Sequence, residues 1–569
     1  MASLADRSAV DATPAAVRGA DLVWRALGSL GVDRVFGYPG GACLPLYDAL
    51  PDHPGIHHVL VRHEQGAAHM ADGYARVLGR PGVCVVTSGP GATNLITGLA
   101  CAHMDSVPVV AITGQVMTPL MGRDAFQETD VLGLVGPVTK HSYLVERAED
   151  IEPTIRAAFA VAMAGRPGPV VVDIPKDIQL HAAGPSARTV RAERPPAIDM
   201  AAIDEALELL TAAERPLIVA GHGVRLARAH AELRALAERI GAPVATTLLG
   251  IGSFPEDHPL AIGMLGMHGS ANANRMVNDA DVILGVGLRF DDRVTGKISA
   301  FAPKARIIHA DIDATQIGKN VPTAVAIVGD AGAALFALAA RVEKGARPDW
   351  SARAQAPART RPHLAEYEER VELPPRLVIR AIREAASDEA YFVADVGQHQ
   401  MWAAQHLKLT HHDRFLTSGG LGAMGYALPA AIGAQLARPD AEVWAIAGDG
   451  GAQMTMQELG TAVQESAPVK LAIMNNGYLG MVRQWQQLFH DNRISQTPIG
   501  SPDYVKLADA YGALGICVER RRDLVPALER ARRHPGPVVL DLRIEREANV
   551  WPIVPPGGAN ADLIEEPWQ

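Results

Sequence analysis

Short runs of aliphatic and β-branched residues recur along the chain, each followed by a Gly-containing turn and then a stretch whose apolar positions follow the helical period. That alternation predicts βαβ units and parallel sheets, because a parallel pair needs a crossover long enough to hold a helix. The runs fall into three groups: 57–61, 83–87, 107–113 and 170–174; then 217–220, 282–286, 307–310 and 325–328; then 392–396, 443–447, 471–474 and 538–542. Between the groups, 181–200 and 343–375 are rich in Pro, Arg and Ala without apolar periodicity and read as linkers. The expectation is an α/β protein of three doubly wound parallel-sheet domains, at 17–182, 199–342 and 374–545, with a Pro- and Gly-rich tail over 546–569.

Length and composition agree with this division. At a prior of roughly 150 residues per domain, 569 residues make three or four domains. A hydrophobic share of 48% against 20% charged, with 54 Gly and 40 Pro spread throughout, excludes wholesale disorder. The charge is 53 basic against 63 acidic, net −10, without a long basic run to neutralise phosphates, so a nucleic acid is not expected as partner. Cys43, Cys84, Cys101 and Cys517 form no CxxC pair and read as four buried thiols in a reducing compartment. The first 16 residues have no apolar core and contain two aspartates, and no apolar run approaches 18 residues, so the expected setting is the cytoplasm, away from membranes.

The chemistry gathers first in EVWAIAGDGG (442–451) and KLAIMNNG (470–477). Each is a buried strand entering a turn, and the 24 residues between GDG and NN suit a turn, a helix and the next strand. In a parallel sheet Asp449 and Asn476 then reach the same edge, where α/β ligands bind. A carboxylate and an amide oxygen beside a turn of Gly448, Gly450 and Gly451 suit Mg²⁺ or Ca²⁺ with phosphate oxygens completing the shell. An isolated GDG is more often a simple strand-ending turn, and the NN on the following strand is what favours a site.

GDG followed by NN at this spacing resembles the diphosphate-binding motif of thiamine diphosphate enzymes. The resemblance implies Mg²⁺ held by Asp449, Asn476 and the backbone carbonyl of Tyr478. The chain departs from its relatives in carrying Gly451 and Ala452 where Ser and Phe are common, which removes a hydroxyl contact to the diphosphate and leaves a backbone contact. In RHEQG (62–66), Glu64 begins a helix whose apolar positions Ala67, Met70, Ala71 and Tyr74 are helically spaced. On its own it would do no more than favour the helix dipole, worth about 0.5 kcal/mol. By resemblance Glu64 is the carboxyl that hydrogen-bonds the cofactor's pyrimidine and drives its proton relay, a task suited to a buried carboxyl. VFGYPGGA (35–42), with Tyr38 and Pro39, and TSGPGATN (87–94), with Thr87, Pro90 and Asn94, are similar to the pyrimidine-side walls. VGQHQMWAAQ (396–405), with Val396, Gly397, Gln398 and His399, and SGGLGAMGYALPAAIGA (418–434) are similar to the diphosphate-side walls. There Gly422 would contact the pyrimidine amino group and Met424 would hold the cofactor bent, with Gly480 and Met481 beyond the metal turn.

The resemblance covers nearly all of the chain from about residue 18 and is strongest to the catalytic subunits of acetohydroxyacid synthases, also called acetolactate synthases. DAFQE (124–128), GRPGPVVVDIPKD (165–177), GMLGMHG (263–269), RFDDRVTGK (289–297) and GYLGMVRQWQQLF (477–489) carry it. It implies FAD in the central domain, in a structural role. The implied contacts are Arg166, then Gly221 and Gly223 of GHGVRL, then Thr247 and Leu248. Gly266 and His268 follow, with Gly287, Arg289, Asp291 and Arg293 around RFDDR, and finally Asp311, Ile312 and Asp330. The half GxGxxG alone would be weak support; RFDDR weighs more, because FAD-free catabolic relatives lack it.

The implied reaction decarboxylates pyruvate and ligates the two-carbon unit to pyruvate or 2-oxobutyrate, giving 2-acetolactate or 2-aceto-2-hydroxybutyrate, the first common step of branched-chain amino-acid biosynthesis. Phe126 and Gln127 would line the substrate site, Lys176 would be a mobile pocket lysine, and Trp485 would favour the larger acceptor. A homodimer or homotetramer and a separate regulatory small subunit are the implied partners. Another thiamine diphosphate carboligase, a 2-keto acid decarboxylase or a non-catalytic scaffold are the alternatives; the joint presence of Glu64, Asp449, Asn476 and Met424 argues against the scaffold.

Overall fold

The computed structural model describes residues 17–184, 196–345, 347–355, 369 and 371–566. The N-terminal segment 1–16, residues 185–195 and 346, 356–368 and 370 of the two expected linkers, and 567–569 lie outside the described residues. Among the described residues the chain builds three six-stranded sheets, parallel throughout, with helices on both faces.

The first sheet runs in space as His57–Leu60, Arg34–Tyr38, Gly82–Val86, Val109–Gln115, Val170–Pro175 and His141–Leu144. The third runs as Phe415–Thr417, Tyr391–Ala394, Val443–Gly448, Lys470–Asn475, Val538–Arg543 and Leu514–Val518. Both therefore share one strand order, 2-1-3-4-6-5 in their own chain order. The central sheet differs: Ala261–Met264, Val244–Thr246, Pro216–Ala220, Val282–Val286, Arg306–Asp311 and Val325–Val328 make the order 3-2-1-4-5-6 of dinucleotide-binding folds. In each sheet the order reverses beside its first strand, and crevices at such reversals are where α/β ligands bind.

Each sheet holds two strands beyond the four expected. Arg34–Tyr38, read above only as the start of a strand-to-loop segment, is central; the others are short or lie towards an edge, where half-exposed or Gly-interrupted sequence gives a weak apolar run. The second linker is also partly structured. Helix Pro348–Ala354 packs Trp350 into the central-domain core, where its indole N–H donates to Pro216 O at 2.7 Å. One anchoring aromatic does there what a periodic pattern usually does. Cys43, Cys84 and Cys101 are buried free thiols, but Cys517 is exposed, because its strand Leu514–Val518 is the edge of the third sheet.

The first and third domains meet through two helices, Glu64–Leu78 and Ala427–Ala437. Glycines let the backbones touch: a Cβ on Gly73 would sit 2.1 Å from Ala430 O, and one on Gly433 2.0 Å from Met70 O. Among the described residues no helix is long and apolar enough to cross a membrane.

Candidate active site

The ends of Val443–Gly448 and Lys470–Asn475, neighbours in the third sheet, bring Asp449 and Asn476 together. Asp449 starts the helix Asp449–Thr455, and its Oδ2 accepts from Gly477 N at 3.0 Å and Ser501 Oγ at 3.2 Å. Burial pushes its carboxyl up to about 6, against those hydrogen bonds. Asn476 Oδ1 accepts from Tyr478 N at 3.1 Å, and its Nδ2 donates to Gln398 Oε1 at 3.3 Å. Among the described residues no three His, Cys, Asp or Glu groups converge as a metal cluster. A set of one carboxylate, one amide oxygen and one carbonyl is of another kind, the hard oxygen set of Mg²⁺, and fits a cation shared with a diphosphate.

Around this turn the chain is closely packed. A Cβ on Gly450 would lie 3.2 Å from Met424 Cε, and one on Gly480 2.1 Å from Gln398 Oε1. His399 is buried, burial holds its imidazole down to about 3, and its Nε2 accepts from Gly448 N at 3.2 Å as a neutral ring. Val396, Gly397, Gln398, His399, Met424 and the GDG turn thus form one wall at the switch point of the third sheet. The buried Asp395 beneath it accepts backbone N–H bonds from Val396, Gly425 and Tyr426, and burial raises its carboxyl to about 7.

The equivalent edge of the first sheet gathers the other residues read from the sequence. Tyr38 ends its strand ahead of Pro39, Pro90 opens helix Pro90–Asn94, and Glu64 opens helix Glu64–Leu78. Asn94 Nδ2 donates to Glu64 Oε2 at 2.9 Å, and a Cβ on Gly91 would lie 2.8 Å from Thr87 and 3.4 Å from Glu64 Oε1. Gln127, at φ +59°, presses its backbone on Gly89, and Phe126 beside it is 88% exposed. Lys176 follows the strand Val170–Pro175 at the same edge.

Between the domains lies a cavity of about 880 Å³, a size ordinary for a cofactor site. Its lining holds the predicted flavin residues Arg166, Gly223, Thr247, Leu248, His268, Gly287, Arg289, Asp291, Arg293, Asp311, Ile312 and Asp330. Gly221 and Gly266 stand behind that lining, where Cβ atoms would meet Gly287 O at 2.2 Å and Arg293 O at 2.1 Å. The cavity opens at the switch point of the central sheet, beyond Ala220 and Val286. Two half-buried guanidiniums, Arg166 and Arg289, suit a diphosphate; desolvation and the Arg289 charge depress Arg166. Asp311, raised to about 6 by burial, ends the strand Arg306–Asp311. On this lining His268 Nδ1 and Trp485 Nε1 are buried without a hydrogen-bond partner among the described residues. The residues fit a dinucleotide such as FAD.

Val396, Gly397, Gly422, Met424, Met481 and Trp485 line the same cavity, so the dinucleotide cleft and the third-domain wall are one space. Glu64, Phe126, Gln127 and Lys176 do not line it. Within one chain, then, the sequence-predicted residues form two separate half-sites. Sequence reasoning missed Asp105, Asp395, Met104 and Ser106, and it singled out neither Gln400 nor Val482 within the segments 396–405 and 477–489; the partners of Asp105 and Asp395, Gly419, Gly420 and Gly425, are distant in sequence.

Three family models match the chain: the N-terminal TPP binding domain of thiamine pyrophosphate enzymes over 17–134, their central domain over 203–338 and their C-terminal TPP binding domain over 395–542. The chain is 48% identical over 561 residues to an acetolactate synthase of Mycobacterium bovis, covering 96% of this chain and 91% of that one. It is 47% identical to the acetolactate synthase large subunit of Corynebacterium glutamicum, with 97% and 91% covered. Against the acetolactate synthase isozyme 2 large subunit of Escherichia coli the identity is 46%, with 97% and 100% covered.

Proposed function

The chain belongs to the thiamine pyrophosphate enzymes, among the acetolactate synthase large subunits, and from that membership we propose that it decarboxylates pyruvate and transfers the two-carbon unit to pyruvate or 2-oxobutyrate. The observation that carries this reading is the meeting of Asp449, Asn476 and Met424 on a wall continuous with a dinucleotide cleft. Bound thiamine diphosphate supplies the electron sink that decarboxylation of a 2-keto acid requires. Asp449, Asn476 and the Tyr478 carbonyl would hold Mg²⁺ beside the diphosphate. Met424 and Gly422 would shape the wall against the cofactor, and Glu64 would be the carboxyl that holds or gives up a proton at its pyrimidine side. Phe126, Gln127 and Lys176 face the keto acids, and Trp485 narrows the acceptor side. The central domain would hold FAD as a structural element, since the proposed reaction has no net redox change.

The two half-sites support a homodimer, in which the Glu64 face of one subunit covers the Met424 wall of the other; pairing of dimers gives the homotetramer. Half-buried Glu64 and exposed Phe126 gain their cover there. A regulatory small subunit is a further partner, and the cytoplasm is the compartment.

The test is purified protein with pyruvate, thiamine diphosphate, Mg²⁺ and FAD, each cofactor omitted in turn, with acid-treated product assayed as acetoin. Acetolactate formation that disappears without thiamine diphosphate or FAD is expected. Pyruvate consumption giving only acetaldehyde would replace this reading by a simple decarboxylase, and no consumption would leave a scaffold.

A further inference from the structure

Asp105 joins all three domains at the rim of the shared cavity. It ends helix Ile96–Asp105 and is 1% exposed. Its carboxylate accepts from Gly419 N at 3.0 Å, from Gly420 N at 2.7 Å and from the Arg76 guanidinium at 2.9 Å. Its backbone carbonyl accepts from His222 Nδ1 of the central domain at 2.8 Å. Arg76 is itself buried against Asp72 at 2.7 Å, and Asp72 accepts from the Tyr426 hydroxyl at 2.5 Å. A buried carboxylate is tolerated when paired and hydrogen-bonded, and here three donors, one of them charged, converge on it.

What the carboxylate grips is the loop that carries the cofactor wall. A Cβ on Gly419 would lie 2.7 Å from the Leu249 side chain, and one on Gly420 2.8 Å from Met104 and 3.2 Å from Arg289. The loop is therefore wedged between the first and central domains, and Ser418 Oγ braces it further by accepting from Gly422 N and Ala423 N at 3.2 Å each. Gly422 and Met424 follow at once and line the cavity on the thiamine side, while Gly419 and Gly420 line it beside Arg289 on the dinucleotide side.

We propose that Asp105 is a positioning residue for carboligation: its carboxylate fixes the 418–424 loop so that one side presents Gly422 and Met424 to thiamine diphosphate while the other closes the flavin cleft. This rests on the proposed function for what the loop holds. The clamp is specific for a carboxylate, because an amide offers one acceptor and turns an N–H against a donor.

The experiment compares wild type with Asp105→Asn and with Gly420→Ala, whose methyl would meet Met104 at 2.8 Å, the Asp105 carboxylate at 2.9 Å and Arg289 at 3.2 Å and so displaces the loop while every charged group of the clamp is kept. Apo protein is titrated calorimetrically with thiamine diphosphate and Mg²⁺, and the ratio of acetaldehyde to acetolactate is measured in the loaded enzyme. Both variants are expected to bind thiamine diphosphate at least tenfold more weakly and to raise the acetaldehyde share several-fold, with KM for pyruvate within about twofold. Should Asp105→Asn fail to fold, Gly420→Ala decides alone. Variants that only unfold at lower temperature, with affinity and product ratio unchanged, would overturn the proposal. A wild type that makes no acetolactate would remove the proposed function, and the titration would still judge the loop.

Discussion

Asn94 donates its side-chain amide to Glu64 Oε2 at 2.9 Å, on the first-domain face that the proposed dimer sets against another subunit's wall. That bond aims a carboxylate that already begins a helix, where the dipole favours negative charge by about 0.5 kcal/mol. Removing a positioned proton-transfer group typically costs about 10²–10⁴ in rate. Glu64→Ala should therefore lower kcat by at least about a hundredfold while calorimetric affinity for thiamine diphosphate with Mg²⁺ changes little. Asn94→Ala, which leaves the carboxyl but frees it, should cost roughly tenfold less. A fully active Glu64→Ala enzyme would remove Glu64 from the mechanism.

Arg293 lies 5.8 Å from the centroid of the Trp485 ring, tying the central domain to the helix Gly480–Phe489. Trp485 lines the cavity, and under the proposed function its bulk offers apolar surface to the extra methylene of 2-oxobutyrate. One methylene in such a pocket is worth about 1–3 kcal/mol. Trp485→Leu should reduce the 2-aceto-2-hydroxybutyrate to 2-acetolactate ratio, in competition between the two acceptors, by about tenfold or more. An unchanged ratio would assign the preference to other residues.

The helix crossing at Gly73 and Gly433 makes a prediction about stability alone. A methyl at either position would meet a backbone oxygen, which cannot swing aside as a side chain can. Overpacking of this kind costs about 1–3 kcal/mol. Gly433→Ala should lower the urea midpoint accordingly, with kcat per folded molecule unchanged.

Much of this site was legible in the chain. The strands at 443–447 and 471–474 announce themselves as continuous apolar runs, and the intervening length alone dictates that Asp449 and Asn476 share an edge. What periodicity cannot carry is strand order, so the contrast between the central sheet, with the order of dinucleotide-binding folds, and its two neighbours emerges only in three dimensions. Trp350 lay hidden in a linker because a single anchoring side chain has no period. Asp105 and Asp395 were missed for a related reason: their partners, Gly419 and Gly420 for one and Gly425 for the other, are backbone amides far along the chain, and a backbone amide leaves no mark in sequence.

Asp413 sits between the central and third domains, where its carboxylate accepts from Arg225 Nε at 2.9 Å and faces His230 Nε2 at 3.1 Å; His412 stacks on His230 at 4.0 Å. Burial alone would raise its pKa, but the His230 hydrogen bond and the Arg225 charge outweigh it and hold the carboxyl at about 2. A depressed carboxyl contributes stability that is complete above the unfolded value of 3.8 and is lost as pH falls from there through about 2. With the side chain 38% exposed, solvent screening reduces that contribution to about 1 kcal/mol. The gap in unfolding free energy between wild type and Asp413→Asn should thus be constant from pH 7 to pH 5 and shrink below about pH 4. Urea titrations at those pH values check it, and a gap that widens on acidification would contradict the assignment.

Gly451 replaces a residue that in relatives often carries a hydroxyl, and the expectation from sequence was a lost contact to the diphosphate. The structure gives the position a different meaning. A Cβ there would lie 2.3 Å from Asp395 Oδ2, so the space is already taken by the buried carboxyl. Its Oδ2, the atom beside Gly451, accepts from Gly425 N at 3.1 Å, and its Oδ1 accepts from Val396 N at 2.8 Å and Gly425 N at 2.9 Å, bracing the turn before Gly397 and the turn after Met424 together. Admitting a side chain at 451 forces the carboxyl to rotate and leaves buried N–H groups unpaired, at about 1–3 kcal/mol each. Gly451→Ser should therefore weaken thiamine diphosphate binding several-fold and lower the unfolding temperature, and Gly451→Ala should do the same, because the cost comes from the Cβ. Calorimetric titration separates the two effects: if serine strengthens binding where alanine weakens it, the hydroxyl contact outweighs the collision, and Asp395 is free to move.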